Sequence, residues 1–198
     1  MEAKQRLDRW ERECDQASPI RVKDLSRGGL INWFHKFGFK IGAEIGVDTG
    51  RFSKVILDNI KGVKLYLVDS WAQGNYKRTG DDRCEQTLFR LKAFKEQITI
   101  IKNISTEAVK QVKDESLDFV YIDGDHTFDY VVTDIIEWAK KVKKGGIISG
   151  HDYYHFRDAG VIEAVDAYAK MHRVKSVFIT DYLKDRTPSW FFIKTWQN

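Results

Sequence analysis

Apolar positions recur at two different periods along the chain, and the change near residue 39 divides it. Over residues 1 to 35 the spacing is helical. Leu7, Trp10 and Cys14 fall on one face, a second apolar set follows Pro19, and Gly28-Gly29 interrupts the run before Leu30, Ile31, Trp33 and Phe34. This predicts an N-terminal helical extension over residues 1 to 38, packed on the main domain and placed to cover its ligand. From residue 39 short apolar runs alternate with amphipathic stretches. The runs are Lys40 to Val47, Val63 to Val68, Ile98 to Ile101, Leu117 to Ile122, Gly146 to Ser149 and Val174 to Ile179. Between them Phe52 to Ile60, Asp82 to Phe94, Glu107 to Val112, Tyr130 to Val142 and Val161 to His172 have helical period. Strands alternating with helices build βαβ units, a parallel sheet and helices on both faces. The last run, Trp190 to Trp196, follows Ile179 after a short polar segment containing Pro188, too close for a helical crossover. An antiparallel pair is expected there. Residues 39 to 198 thus read as one α/β domain, with no internal repeat.

Composition sets bounds on this picture. A chain of 198 residues, 42% hydrophobic and 31% charged, can bury a core without metals or disulfides. Its two cysteines, Cys14 and Cys84, are far apart and form no Cys-x-x-Cys, so a reducing, cytoplasmic setting is expected. The charged stretch Met1 to Cys14 has no apolar core of a secretory signal, and no run of about 18 apolar residues exists to span a membrane. A net charge of +4 permits a nucleic-acid partner without arguing for one. Lys140, Lys141, Lys143 and Lys144, just before Gly145-Gly146, are expected in the last turn of a helix, where cations oppose the negative end of its dipole.

The ends of the strands carry the candidate chemistry. The first strand runs into Glu44-Ile45-Gly46-Val47-Asp48-Thr49-Gly50, a glycine turn that lets backbone approach a ligand. It is not the dinucleotide fingerprint, because Asp48 stands at the middle glycine. Glu44 and Asp48 would repel phosphate and suit a cation. S-adenosylmethionine, with a sulfonium, an ammonium and no phosphate, has that chemistry. Asp69 ends the second strand 19 residues after Gly50, a spacing at which a carboxylate accepts from ribose hydroxyls; the plainer reading is a helix cap before Ser70. Trp71 is placed to stack on adenine or close the pocket. Ser105, after the third strand, can cap a helix or meet the adenine edge. The fourth strand ends in Asp123-Gly124-Asp125-His126 and the fifth in His151-Asp152-Tyr153. Carboxylates and imidazoles converging from adjacent tips suit general base work or a divalent metal.

Taken together, Ala43 to Val47 with Gly50, Leu67 to Trp71, Val120 to His126, and Lys144 to Gly146 with Gly150 to Tyr153 resemble the class I methyltransferases. Within that class the chain is similar to the methyltransferase 24 type, the group of cephalosporin hydroxylase-like and macrocin-type O-methyltransferases. The resemblance implies a Rossmann-like sheet of seven strands in order 3-2-1-4-5-7-6 with strand 7 antiparallel. It implies S-adenosylmethionine as cofactor, with contacts at Glu44, Gly46, Asp69 and Asp123. Val47, Asp48, Gly50, Ser70, Trp71, Ser105, Gly124 and His126 complete the candidate cofactor set. Magnesium-binding relatives would place the ion at Asp123, His151 and Asp152, and His151 departs from their usual acidic ligand. Two readings therefore stand side by side: a magnesium site, or a metal-free site in which His126 or His151 is the base and Asp123 supports it.

The expected reaction is methylation of a hydroxyl on a small acceptor such as a sugar, phenol or natural product. Tyr153, Tyr154, His155 and Arg157 are candidate acceptor contacts, and the polar loop Ala72 to Arg83 a candidate lid. Three rivals are weighed. A nucleic-acid methyltransferase lacks its Asn/Asp-Pro-Pro-aromatic motif here. A non-catalytic binding protein would not need polar groups at both cofactor and acceptor positions. A dinucleotide oxidoreductase is disfavoured by Asp48. Homo-oligomer formation is left open.

Overall fold

The computed structural model describes residues 18–72 and 80–198. The expected helical face of Leu7, Trp10 and Cys14 lies outside the described residues. The elements run β1 (Ile20–Arg21), α1 (Arg27–Lys36), β2 (Ile41–Ile45), α2 (Arg51–Asn59), β3 (Lys64–Asp69), α3 (Gly80–Arg90), β4 (Ile98–Lys102), α4 (Ser105–Ala108), β5 (Leu117–Ile122), α5 (Phe128–Lys141), β6 (Val142–Gly150), α6 (Val161–Met171), β7 (Phe178–Ile179) and β8 (Trp190–Ile193).

One sheet of eight strands carries the fold, in order β1-β7-β8-β6-β5-β2-β3-β4. The seven strands β2 to β8 stand in the expected order, and β8 is antiparallel to both β6 and β7. The eighth strand, β1, was not anticipated. Ile20 and Val22 alternate inward and are buried, and Pro19 cannot sit inside a helix. The segment therefore extends along the edge of β7, where Ile20 N donates to Val177 O at 2.8 Å and Val22 N to Ile179 O at 2.9 Å.

Among the described residues before β2 there is one helix, α1. Ser26 caps α1, its Oγ accepting from Gly29 N at 3.0 Å. The glycine pair lies inside the first turn of α1 rather than breaking it. Leu30, Ile31 and Phe34 are fully buried, and the Phe34 ring lies 4.9 Å from that of Phe119 on β5. The described residues 18 to 38 share the sheet and the core with residues 39 to 198.

Two apolar layers flank the sheet. Leu30, Ile31, Phe34, Ile56 and Leu57 of α1 and α2 pack with Phe119 and Tyr121 on one face. Ile135 and Trp138 of α5 and Val165 and Tyr168 of α6 pack with Val120 and Ile122 on the other. Alternate β5 residues serve opposite layers, as a parallel strand buried on both faces requires. The clustered lysines divide: Lys140 and Lys141 end α5, whereas Lys143 and Lys144 open β6, and Lys143 Nζ pairs with Asp118 at 3.0 Å.

Register then places the chemistry. Ile45 pairs with Val68 on one side and Ile122 on the other, and Ile122 pairs with Gly150. Four strands thus end within a residue of one another, and Gly46, Asp123 and His151 just beyond three tips, with Asp69 at the end of β3, lie along one edge.

Candidate active site

The ladder continues one step past the tips. Gly46 N donates to Val68 O at 2.8 Å, Asp123 N to Ile45 O at 2.7 Å and His151 N to Ile122 O at 3.0 Å. Backbone in the left-handed region follows at once, at Gly46 (φ 89), Asp48 (φ 52), Trp71 (φ 44) and Asp152 (φ 55). Non-glycine residues in that region are held there by their surroundings, and such positions concentrate at functional sites.

A cavity of about 890 Å³ opens over the tips of β2, β3 and β5, while His151 and Asp152 at the β6 tip stand outside its lining. Gly46, Asp48, Asp69, Ser70, Ser105, Asp123, Gly124 and His126 of the expected set line it, with Ile45, Asn103, Tyr130, Asp134, Phe156 and Arg157. Six of the lining residues are aspartates (48, 69, 123, 125, 134 and 158), against the arginines Arg83 and Arg157. An acidic cleft of this size suits a cationic small molecule and repels phosphate.

Asp69 organises the turn. Its Oδ2 accepts from Val47 N at 2.9 Å and Asp48 N at 2.8 Å, and its Oδ1 from Trp71 N at 2.7 Å. A carboxylate offers about four lone-pair positions. Three are taken by backbone, which leaves room for one ribose hydroxyl rather than the two expected. Val47 and Trp71 are buried and Gly50 caps α2, so these three shape the turn from behind. Trp71 Nε1 donates to Asp48 O at 2.7 Å. That bond holds the buried indole against the turn, and Trp71 does not line the cavity.

Glu44 is also placed differently from expectation. It is 1% exposed, lies behind the turn and accepts a hydrogen bond from Ser53 Oγ. Burial pushes its carboxyl up to about 8, with Ser53 and Arg27 pulling the other way. It does not line the cavity, and burial disfavours its charged form. Ser105 begins α4 and the cap position is Ile104, so the expected side-chain cap is not made. Instead Ser105 Oγ accepts from Trp138 Nε1 at 2.7 Å.

Beyond Ser105 lies a carboxyl that the sequence reading passed over. Asp134 shares the buried stripe of α5 with Val131, Ile135 and Trp138, and an acid on an apolar stripe was the signal that could have found it. It is 5% exposed. Burial pushes its carboxyl up to about 6, against a hydrogen bond with Ser105. The proton is held more tightly in the folded chain than in the unfolded one. This contribution to stability is complete below the ordinary aspartate pKa near 4 and is lost as pH rises through about 6. Asp134→Asn is expected to gain up to about 3 kcal/mol relative to wild type between pH 4 and pH 8. Urea midpoints at the two pH values measure it, and a gap independent of pH would contradict the buried charge.

The fourth and fifth tips meet in a hydrogen-bonded cluster. His126 Nε2 lies 2.8 Å from Asp152 Oδ2 and 3.8 Å from Asp123 Oδ1. His151 Nδ1 lies 3.2 Å from Asp152 Oδ1 and 3.8 Å from Asp123 Oδ1, and its Nε2 is 3.1 Å from Thr187 Oγ1. Asp123 and Asp152 hold the His126 imidazole up at about 10, so it is protonated at neutral pH. Burial works to raise Asp152, but the bonds from His126 and His151 prevail and hold its carboxyl low. The second residue missed was Arg27 of α1, whose Nη2 reaches Asp123 Oδ2 at 2.6 Å. No local signal marks it, because 96 residues separate the pair.

Asp123, His126 and Asp152 offer one ligand atom each within 4.8 Å of one another, so the three-residue group uses His126 rather than the expected His151. Magnesium takes hard oxygen ligands in near-octahedral array. Here one oxygen of Asp123 is taken by a guanidinium and both oxygens of Asp152 by imidazoles. The set as arranged does not fit a resident magnesium ion.

Among the other expected contacts, Arg157 lines the cavity. Tyr153 is buried, and its Oη donates to Asp166 Oδ1 at 2.7 Å. His155 is exposed beside Glu163. Of the expected lid, residues 73 to 79 lie outside the described residues. Ala72 and Arg83 bracket them at the cavity wall, and Arg83 Nη2 donates to Ala72 O at 2.8 Å.

A family model described as a methyltransferase domain (Methyltransf_24) matches residues 43–153, more than half of the chain and every tip named above. The chain belongs to the methyltransferase 24 family of class I, S-adenosylmethionine-dependent methyltransferases. An O-methyltransferase of Bacillus cereus in complex with S-adenosylhomocysteine has the same fold: TM-score 0.66 at 13% identity, over 98% of this chain and 89% of that one. A candidate rRNA methylase from Clostridium thermocellum gives 0.67 at 14% identity, over 89% and 99%. A precorrin-6y C5,15-methyltransferase of Geobacter metallireducens gives 0.62 at 12%, over 93% and 95%. In sequence the chain is 22% identical over 121 residues to the uncharacterised protein y4gI of Sinorhizobium fredii, covering 57% of this chain and 12% of that protein. The chain thus spans only a small part of that relative's length. Among the described residues no helix of this family member is long and apolar enough to cross a membrane.

Proposed function

We propose that this methyltransferase acts on a hydroxyl of a small acceptor, such as a sugar, a phenol or a natural product. The observation that carries the reading is the imidazole–carboxylate cluster at the fourth and fifth tips, beside the acidic cavity. Bound S-adenosylmethionine supplies an electrophilic methyl on a sulfonium that leaves as a neutral thioether. The protein must hold acceptor and methyl in line and remove the hydroxyl proton.

His126 is already protonated and cannot take that proton. His151 is the better base. With Nδ1–H directed at Asp152 Oδ1, its free electron pair lies on Nε2, where the Thr187 hydroxyl now sits and an acceptor hydroxyl would sit in its place. Asp152 fixes the tautomer and steadies the imidazolium that forms, while Asp69 and the acidic wall hold the cationic donor.

His151→Ala is expected to lower release of S-adenosylhomocysteine by about 10²- to 10⁴-fold across a panel of sugars and phenols, with cofactor binding retained. His126→Ala is expected to lose less. Equal turnover in wild type and His151→Ala would remove the base from the account.

A further inference from the structure

Two carboxylates meet at the tips of β5 and β6, and something positive must balance them. We propose that the Arg27 guanidinium takes the place that a divalent cation would otherwise fill, making Arg27 the positioning residue of a site that works without metal. The inference goes beyond the proposed reaction and does not depend on the acceptor.

Four observations carry it. Arg27 Nη2 sits 2.6 Å from Asp123 Oδ2, a charge-assisted bond that puts a fixed positive charge on the carboxylate whose other oxygen, Oδ1, faces His126 and His151. The guanidinium carbon lies 3.5 Å from the centre of the Phe52 ring and 4.9 Å from that of Tyr121. Phe52 comes from α2 and Tyr121 from β5, with ring centres 4.4 Å apart, and both pack with the apolar layer on that face of the sheet. The main chain of Arg27 is anchored as well, its N–H donating to Asp185 Oδ2 in the segment that carries Thr187. Lastly, the Asp152 oxygens are occupied by His126 and His151. An arginine is charged at every relevant pH. A doubly charged ion bound to Asp123 would sit beside that fixed charge. Arg27 Nε is buried without a hydrogen-bond partner. Keeping the guanidinium there in spite of that cost is consistent with a task directed at Asp123.

Through Asp123, Arg27 would set where that carboxylate stands between His126 and His151. A planar guanidinium held beside aromatic rings does so with its own fork of donors, whereas an ion would recruit waters and further ligands.

The test is titration with Mn²⁺, followed by the paramagnetic resonance signal of the free ion. The samples are the full-length wild type, Arg27→Lys, Arg27→Gln and Arg27→Met, the last keeping an aliphatic stem on Phe52. Wild type and Arg27→Lys are expected to leave the signal unchanged up to about 1 mM Mn²⁺. Arg27→Gln and Arg27→Met are expected to bind at least tenfold more tightly, and Asp123→Asn in either background to abolish that gain. Micromolar binding by wild type, lost in Asp123→Asn, would overturn the proposal. So would the absence of any gain in folded Arg27→Gln or Arg27→Met. If neither folds, the wild-type titration decides alone, with silence in favour and binding against. Calorimetry of the same samples with S-adenosylhomocysteine tests the methyltransferase reading separately, since its failure would leave the metal result standing.

Discussion

Gly46→Ala is expected to destabilise the fold by at least about 3 kcal/mol and to abolish cofactor binding in whatever remains folded. Two independent penalties add. Gly46 has φ 89, where a side chain is strained by its own backbone. A Cβ there would also lie 2.1 Å from Asp123 O and 2.7 Å from Gly124 Cα, both main-chain atoms that no rotamer change can move aside. Relief would require the tips of β2 and β5 to part, breaking the 2.7 Å bond from Asp123 N to Ile45 O and displacing Asp123 from the cavity. Gly124→Ala is the control. Its Cβ would meet nothing nearer than Asp134 Oδ2 at 3.8 Å, and a change within about 1 kcal/mol is expected. Urea midpoints measure both. Equal midpoints for Gly46→Ala and wild type would show that the two tips are not in close contact.

The second large effect concerns Asp69. Asp69→Ala is expected to weaken S-adenosylhomocysteine binding by at least about 100-fold, close to 3 kcal/mol. The loss has two parts, a ribose hydroxyl without its acceptor and a turn without its organiser. Val47 N, Asp48 N and Trp71 N would lose their shared acceptor together, and the Trp71 indole would lose the geometry that holds Asp48 O. Asp69→Asn keeps the shape but presents an amide where two N–H groups converge, so an intermediate loss is expected. Calorimetric affinities within threefold of wild type for both variants would show that the ribose lies elsewhere.

Much of this architecture was legible in the chain. Apolar runs ending abruptly in polar groups marked the strand tips, and a parallel sheet with level tips brings such ends to one edge. That logic placed Gly46, Asp69, Asp123 and His126 along one cavity. The departures share a cause. Glu44 and Trp71 were assigned to the ligand because they adjoin the right motifs. Whether a side chain faces the cavity or the core, however, is decided by a single backbone rotation, and here they pair with Ser53 and with Asp48 O behind the turn. β1 could not be read because two residues carry too little period to distinguish a strand from a helix, and only the free edge of β7 decides the matter. Arg27 and Thr187 lie far in sequence from the groups they bond, so no spacing rule reaches them. Asp134 was within reach: a lone carboxyl on the buried face of α5 asks for an explanation, and the cavity supplies one.

Of the seven described non-glycine residues with positive φ, three (Asp48, Trp71 and Asp152) sit just past the strand tips. Asp48 lies in the glycine turn, Trp71 follows two residues after Asp69, and Asp152 itself stands between two imidazoles. The hydrogen bonds of Asp69 and the cluster around Asp123 hold these conformations in place before any ligand arrives, which is the preorganisation that methyl transfer in line requires.

Calorimetric titration of the wild-type protein with S-adenosylhomocysteine, set beside NAD under the same conditions, tests the central claim most directly. One site of roughly micromolar affinity for S-adenosylhomocysteine, with no heat from NAD, is the result predicted. Silence with S-adenosylhomocysteine, or tighter binding of NAD, would contradict a methyl-donor site at the tips of β2, β3 and β5.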